Sequence, residues 1–137
     1  QENNISSFLM EMKEVGFICR NANEQSLVLI DELGRATSNE DGIAIAWSVL
    51  EYLLKTKATT FFVTHYQDIC QMGEVYSDRV QNQHVEAKIE GDGGIGNVFY
   101  SHKVRKGMCK VTSDYGVHVA ACCGWPDDLL KIVRERN

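Results

Sequence analysis

The sequence predicts an α/β fold built on a parallel sheet, and three neighbouring stretches predict it. LVLI at 27 to 30 is a short uninterrupted apolar run; residues 40 to 56 repeat apolar side chains at helical spacing; TTFFV at 59 to 63 is β-branched and aromatic. Strand, helix and strand in that order form a parallel, right-handed crossover. A β-hairpin and a C-terminal helical pair complete the expected architecture.

The elements follow in order. Phe8, Leu9, Met12, Val15, Ile18, Cys19 and Ala22 recur at intervals of three and four, which predicts a helix with Ser6 or Ser7 as its N-cap. LVLI reads as a strand covered on both faces, because a half-covered strand alternates apolar with polar residues. In the next helix Ile43, Ala46, Trp47, Leu50, Leu53 and Leu54 form the apolar face, and Ser38 with Asp41 imitates a capping box. GDGGIG at 91 to 96 fits the dinucleotide pattern G-x-G-x-x-G, but it precedes NVFYSHKV, a strand and not a helix, and Asp92 would repel a pyrophosphate. It is instead the loop of a hairpin with strands near 80 to 90 and 97 to 105. His84 and His102 fall roughly across that hairpin, and two histidines fall short of the three or four protein ligands zinc takes, so no metal site is expected there. From Ser113 onward, Ser113 or Asp114 serves as a cap, residues 115 to 123 form a helix, Gly124 stops it and Pro126 opens a second.

Composition sets limits. A chain of 137 residues suits one domain or a piece of one, and 44% hydrophobic with 24% charged residues is a globular composition. No apolar stretch approaches the ~18 residues that span a bilayer, and neither a signal peptide nor a membrane role is expected. The chain begins with Gln1 and is read as a fragment. Its five cysteines show no C-x-x-C spacing, which predicts reduced thiols rather than a zinc ribbon or a disulfide framework. A net charge of −5 argues against the whole segment being a nucleic-acid face. Lys103, Arg105, Lys106 and Lys110 are a local exception, either a solvated basic face or a contact for phosphate or an acidic partner.

The chemistry gathers at the strand ends. Parallel strands finish at one edge, and ligands bind outside their carboxyl ends. The first strand delivers Asp31 and Glu32 to that edge; the second delivers Thr64 and His65. An acidic turn after a core strand would explain the carboxylates alone, and a histidine ending a strand would explain His65 alone, but their convergence points to nucleotide hydrolysis. Adjacent strand residues face opposite sides, so the two carboxylates divide the work. One of the two is expected to hold Mg²⁺, usually through water, while the other polarises the water that attacks the γ-phosphate of a nucleotide. His65 senses or orients that phosphate. No G-x-x-x-x-G-K-[ST] loop occurs, so the backbone cradle for the phosphates is absent from these residues.

ISSFLMEM at 5 to 12, SLVLIDELGRATSNEDG at 26 to 42, TTFFVTHY at 59 to 66 and YGVHVAACCG at 115 to 124 resemble, in order and spacing, the C-terminal part of the ATPase domain of MutS-type DNA mismatch-recognition proteins. NANEQSLVLIDELGR with SSFLMEMKE looks closest to the meiotic branch, the fourth eukaryotic MutS homologue. The resemblance implies a P-loop-type ATPase domain fragment over residues 1–112, without its Walker A region, and a helix-turn-helix dimerisation element over 113–137. It implies a Walker B pair in Asp31, the Mg²⁺ ligand, and Glu32, the catalytic residue, with His65 attending the γ-phosphate. Ser6 matches a loop that reaches the nucleotide of the opposite subunit, and Gly34 to Ser38, Thr37 included, match the loop that crosses between the paired sites. The implied partners are a second MutS-family subunit, in a heterodimer, and DNA held by upstream domains; the implied setting is meiotic recombination or mismatch repair in the nucleus. Ala36 stands where the family has glycine, which adds strain of about 1 kcal/mol if the position needs positive φ. Two other readings remain: a non-catalytic dimerisation module, or half of another DNA-repair ATPase with a composite site, although ISSFLMEM supplies no LSGGQ-like loop.

Overall fold

In the computed structural model, which describes residues 2–90, 97–108 and 115–136 and side-chain surroundings at 7–87, 101–108 and 116–136, the expected strand-helix-strand unit forms. Strand β1 (Leu27–Asp31) pairs in parallel with β2 (Thr59–Val63), in register from Leu27 opposite Thr59 to Asp31 opposite Val63. Helix α2 (Asn39–Thr56) joins them. Its start is the one read from the sequence: Ser38 is extended, its Oγ accepts from the Asp41 amide at 3.2 Å and donates to the Asp41 carboxylate at 2.8 Å. Its end is a left-handed Lys57, φ 61°, whose amide donates back to the Leu54 carbonyl.

Helix α1 (Glu2–Asn21) corrects one expectation. It begins four residues before Ser6, so neither Ser6 nor Ser7 is its cap. Residues 2 to 5 contain no glycine or proline to stop a helix, and their polar character hides them from an apolar periodicity. Met12, Val15 and Ile18 of α1, with Ala22 just past its end, pack on Val28, Ile30, Leu33 and Leu53, together with Ile45 and Val49 of α2. Leu9, expected on that face, is 52% exposed. Fully burying a side chain such as Leu53 contributes about 1.5–3 kcal/mol.

The sheet corrects a second. β1 is covered on one face: Val28 and Ile30 are buried, while Leu27 and Leu29 are 64% and 68% exposed beside exposed Phe61 and Val63 of β2. Both α1 and α2 pack on the Val28 side. An apolar run states that both faces dislike water; it cannot state which element covers each. After β2, a 3₁₀ turn (Gln67–Gln71) runs into the short helix α3 (Met72–Val75), and Ile69 and Met72 join Ala46 and Tyr66 in a second buried cluster. These elements are too short to show a period and were not anticipated.

The chain divides into two compact units, and everything above lies in Gln1–Val80. The other unit, Gln81–Asn137, contains the hairpin and the helical pair. Strands β3 (Gln83–Glu90) and β4 (Asn97–Lys106) pair antiparallel, with the GDGGIG segment between them outside the described residues. The histidines are not opposite each other: His84 pairs with Arg105, and an irregularity between Val85 and Ala87 places His102 in a bulge at φ 55°. His84 Nδ1 lies 2.9 Å from the Gly107 carbonyl oxygen. Arg105 ion-pairs with Glu86 across the hairpin, and Lys103 and Lys106 are exposed; Lys110 is outside the described residues. Helix α4 (Tyr115–Cys122) ends at Gly124, φ 79°, and α5 (Asp127–Arg136) starts with Leu130 bonded to the Pro126 carbonyl. Val117, Ala121 and Leu130 form their small core. The expected cap, Ser113 or Asp114, lies outside the described residues.

Candidate functional site

The carboxyl ends of β1 and β2 are brought together by their register. Asp31 sits opposite Val63, and the next amide, that of Glu32, donates to the Val63 carbonyl at 2.9 Å. Glu32 and His65 therefore leave adjacent strands within the same few residues. Asp31 continues the exposed face of Leu27 and Leu29. Glu32 turns away from the strand with φ 50°, a left-handed conformation that costs a non-glycine residue about 1 kcal/mol or more. Because Glu32 is left-handed and lies past the end of β1, the strand alternation expected to separate the two carboxylates does not set its direction.

Each oxygen of Glu32 has a different neighbour. Oε2 forms an ion pair with Arg35 Nη1, and Oε1 lies 3.9 Å from His65 Nδ1. That second separation is too long for a hydrogen bond and short enough for attraction when the imidazole is charged. The Arg35–Glu32 pair is open to solvent, with Arg35 74% exposed, so it holds by about 0–1 kcal/mol and exchanges readily. His65 also stacks at a tilt against Tyr66, ring centroids 4.5 Å apart.

The loop after Glu32 is held tightly. Leu33 is 1% exposed, and Gly34 takes φ 87°. The Tyr66 hydroxyl donates to the Gly34 carbonyl at 3.0 Å in a buried contact, and the Gly34 amide donates to Glu11 of α1 at 3.3 Å. Gly42, at the start of α2, comes so close that a Cβ on Gly34 would sit 2.8 Å from its Cα. The Thr37 amide points back to the Gly34 carbonyl at 3.4 Å, and the Ser38 hydroxyl is engaged in capping α2. Among described non-glycine residues, positive φ occurs at Glu32, Lys57 and His102. Ala36 is therefore unstrained, and the strain expected there resides at Glu32.

The backbone of Ser6 lies inside α1, and its side chain is outside the described residues. The structure thus assembles Asp31, Glu32, Gly34 and His65 at one edge, with Thr37 and Ser38 leading into α2. Among the described residues no cluster of three or more His, Cys, Asp or Glu side chains is arranged to hold a metal ion.

A family model, MutS domain V, matches residues 1–137. The chain belongs to the MutS family. The DNA mismatch repair protein MutS of Caldicellulosiruptor bescii is 41% identical over 133 residues, 95% of this chain and 15% of that protein. MutS protein homolog 4 of Homo sapiens is 38% identical over 136 residues, 98% of this chain and 14% of that protein. The MutS of Thermotoga petrophila is 39% identical over 135 residues, 96% of this chain and 16% of that protein. The chain therefore spans about one-sixth to one-seventh of these relatives.

Within this MutS-family segment, sequence reasoning missed three residues at the edge, Glu11, Gly42 and Tyr66, which fix Gly34, and it placed Arg35 in the expected Gly34–Ser38 loop without anticipating its pairing with Glu32. One of them left a signal. Gly42 occupies the first turn of an otherwise apolar-periodic helix despite its poor helix propensity, which marks a close backbone approach.

Proposed function

We propose that this chain is the C-terminal part of a P-loop-type ATPase domain, and that the edge formed by Asp31, Glu32 and His65 performs ATP hydrolysis in the intact MutS-family protein. The reading rests on one observation: Asp31 ends β1, Glu32 follows it directly, and Glu32 Oε1 lies 3.9 Å from Nδ1 of His65, two residues past the end of the paired strand. The resemblance of the surrounding motifs to Walker B and its following loop supports it. Residues 1–112 belong to the ATPase part and 113–137 to a helical dimerisation element. In the intact protein, ATP binding and hydrolysis at paired sites drive a dimer that recognises DNA mismatches or junctions; the resemblance of NANEQSLVLIDELGR and SSFLMEMKE to the meiotic branch supports a nuclear heterodimer. Alone, the chain lacks the phosphate cradle and is inactive.

The donor set fits the expected ligand. Mg²⁺ takes one or two carboxylates with phosphate oxygens and waters, and Asp31 offers one exposed carboxylate at the strand end. Mg-ATP, when bound, supplies the phosphoanhydride that is cleaved. Glu32 orients the water and accepts its proton, a role worth about 10²- to 10⁴-fold in rate. Arg35 yields Glu32 at little cost because their pair is exposed. His65, exposed beside Glu32 Oε1, offers a hydrogen-bond donor to phosphate oxygen. Gly34, Thr37 and Ser38 carry the loop toward the second site; Ser38 does so while capping α2. Ser6 contributes its hydroxyl to the partner's nucleotide; its amide is inside α1, so the free helix end expected at that residue plays no part.

Asp31→Asn in the full-length protein tests the reading. The Mg²⁺ concentration for half-maximal ATP hydrolysis should rise roughly tenfold or more, as expected for weakening a metal's carboxylate partner. An unchanged Mg²⁺ dependence would remove Asp31 from the metal site.

A further inference from the structure

The Gly34 peptide is gripped from both sides by residues far from it in sequence. Its N–H donates to Glu11 Oε1 at 3.3 Å, which fixes the peptide plane shared with Leu33. Its C=O accepts from the Tyr66 hydroxyl at 3.0 Å, which fixes the plane shared with Arg35. Gly42 fills the space where a side chain would stand, and Leu33 is sealed in the core. Two residues upstream, Glu32 is tied to Val63 through its amide and held at φ 50°. The backbone on either side of the Glu32 carboxylate is thus immobilised, one side by the β2 ladder and the other by Leu33 and this double grip.

Tyr66 also follows His65 directly, and its amide donates to the Thr64 hydroxyl at 3.0 Å. A single phenol therefore links the segment carrying Glu32 to the segment carrying His65. A base displaced by 1 Å can lose about 10²-fold in rate, so a loop under left-handed strain needs such restraint to keep its carboxylate in place. We propose that Tyr66 and Glu11 are positioning residues for hydrolysis, acting through Gly34 to hold Glu32. The inference rests on Glu32 being the base, and it assigns neither residue a contact with substrate.

The test uses the full-length protein with Tyr66→Phe, Glu11→Ala, Glu11→Gln and Glu32→Gln, and the combination of Tyr66→Phe with Glu32→Gln. Steady-state kcat and KM for ATP and nucleotide Kd by fluorescence are measured for each. Tyr66→Phe keeps the ring among Ala46, Ile69 and Met72 and removes only the donor. Its kcat should fall about five- to tenfold, the equivalent of one hydrogen bond, with KM and Kd changed less than about twofold. Glu11→Ala should lose a similar factor, and Glu11→Gln, which keeps a side-chain oxygen to accept from Gly34, should recover most of it. In the Glu32→Gln background Tyr66→Phe should cause no further loss, because a positioning residue has nothing left to position. A general loss of folding would instead weaken nucleotide binding and persist in both backgrounds. Parental kcat in both Tyr66→Phe and Glu11→Ala, or a full additional loss in the Glu32→Gln background, overturns the proposal while leaving Glu32 as the base. Parental hydrolysis by Glu32→Gln overturns the base reading and this inference with it.

Discussion

Gly42→Ala sets two physical effects against each other at one position. Helix propensity alone favours alanine by about 1 kcal/mol. The structure opposes it: the added Cβ would collide with the Tyr66 hydroxyl and lie 3.0 Å from Tyr66 Cζ and 2.8 Å from the Gly34 carbonyl oxygen. The Gly34 oxygen is backbone and Tyr66 is 6% exposed, so neither withdraws into solvent. Displacing the phenol leaves buried polar groups without their bond, at about 1–3 kcal/mol, and the overpacking adds about 1–3 kcal/mol. Subtracting the propensity gain leaves a net loss of about 1–5 kcal/mol. Urea unfolding of parent and variant chains, followed by circular dichroism, measures it. A variant more stable than the parent would show that propensity wins and that the close approach of Gly34, Gly42 and Tyr66 is not a feature of the folded state.

Two further outcomes follow from titratable groups. The Tyr76 hydroxyl donates to Glu51 Oε1 at 2.6 Å, and this bond first, then one from Trp47, holds the Glu51 carboxyl below the ordinary carboxylate range. A depressed carboxyl stabilises above its unfolded value and loses that contribution as pH falls through its folded value. Tyr76→Phe should therefore lower the urea midpoint at neutral pH, with the gap to the parent closing as pH drops through the carboxylate range; a gap independent of pH would refute the linkage. Burial pushes the Cys19 thiol up, against a smaller opposing pull from Arg20, and burial pushes Cys70 up as well. Limiting iodoacetamide at mildly alkaline pH should modify exposed Cys123 before Cys19 or Cys70, read by peptide mass spectrometry; earlier labelling of Cys19 would contradict the burial.

What the sequence made legible is what local chemistry decides. β1, α2 and β2 were readable because a short apolar run, a 3.6-residue period and a β-branched run stand side by side, and Ser38 with Asp41 marked the helix start correctly. The hairpin strands and the Gly124–Pro126 joint were readable from the same kind of signal. The start of α1 was not, because Glu2 to Ile5 carry neither a breaker nor an apolar period. The exposed face of β1 was not, because Leu27 and Leu29 look like Val28 and Ile30 until helices choose a side. The bulge at His102 shifts pairing without any glycine or proline to announce it. At the edge, Asp31, Glu32 and His65 were visible as strand-terminal residues. Glu11 and Tyr66, which lie 23 and 32 residues from the Gly34 they hold, become neighbours only through tertiary packing.

The division of labour between the two carboxylates is the centre of this account, and single-turnover hydrolysis by full-length Glu32→Gln tests it most directly. The substitution keeps the shape of the side chain and a hydrogen-bonding oxygen but removes the base. Mg-ATP binding should stay within about twofold of the parent, while the rate of phosphate release in a chemical-quench time course should fall at least ~10²-fold, the low end for losing a positioned base. A Glu32→Gln protein that binds Mg-ATP and hydrolyses it at the parental rate would contradict the assignment of Glu32 as the residue that activates water.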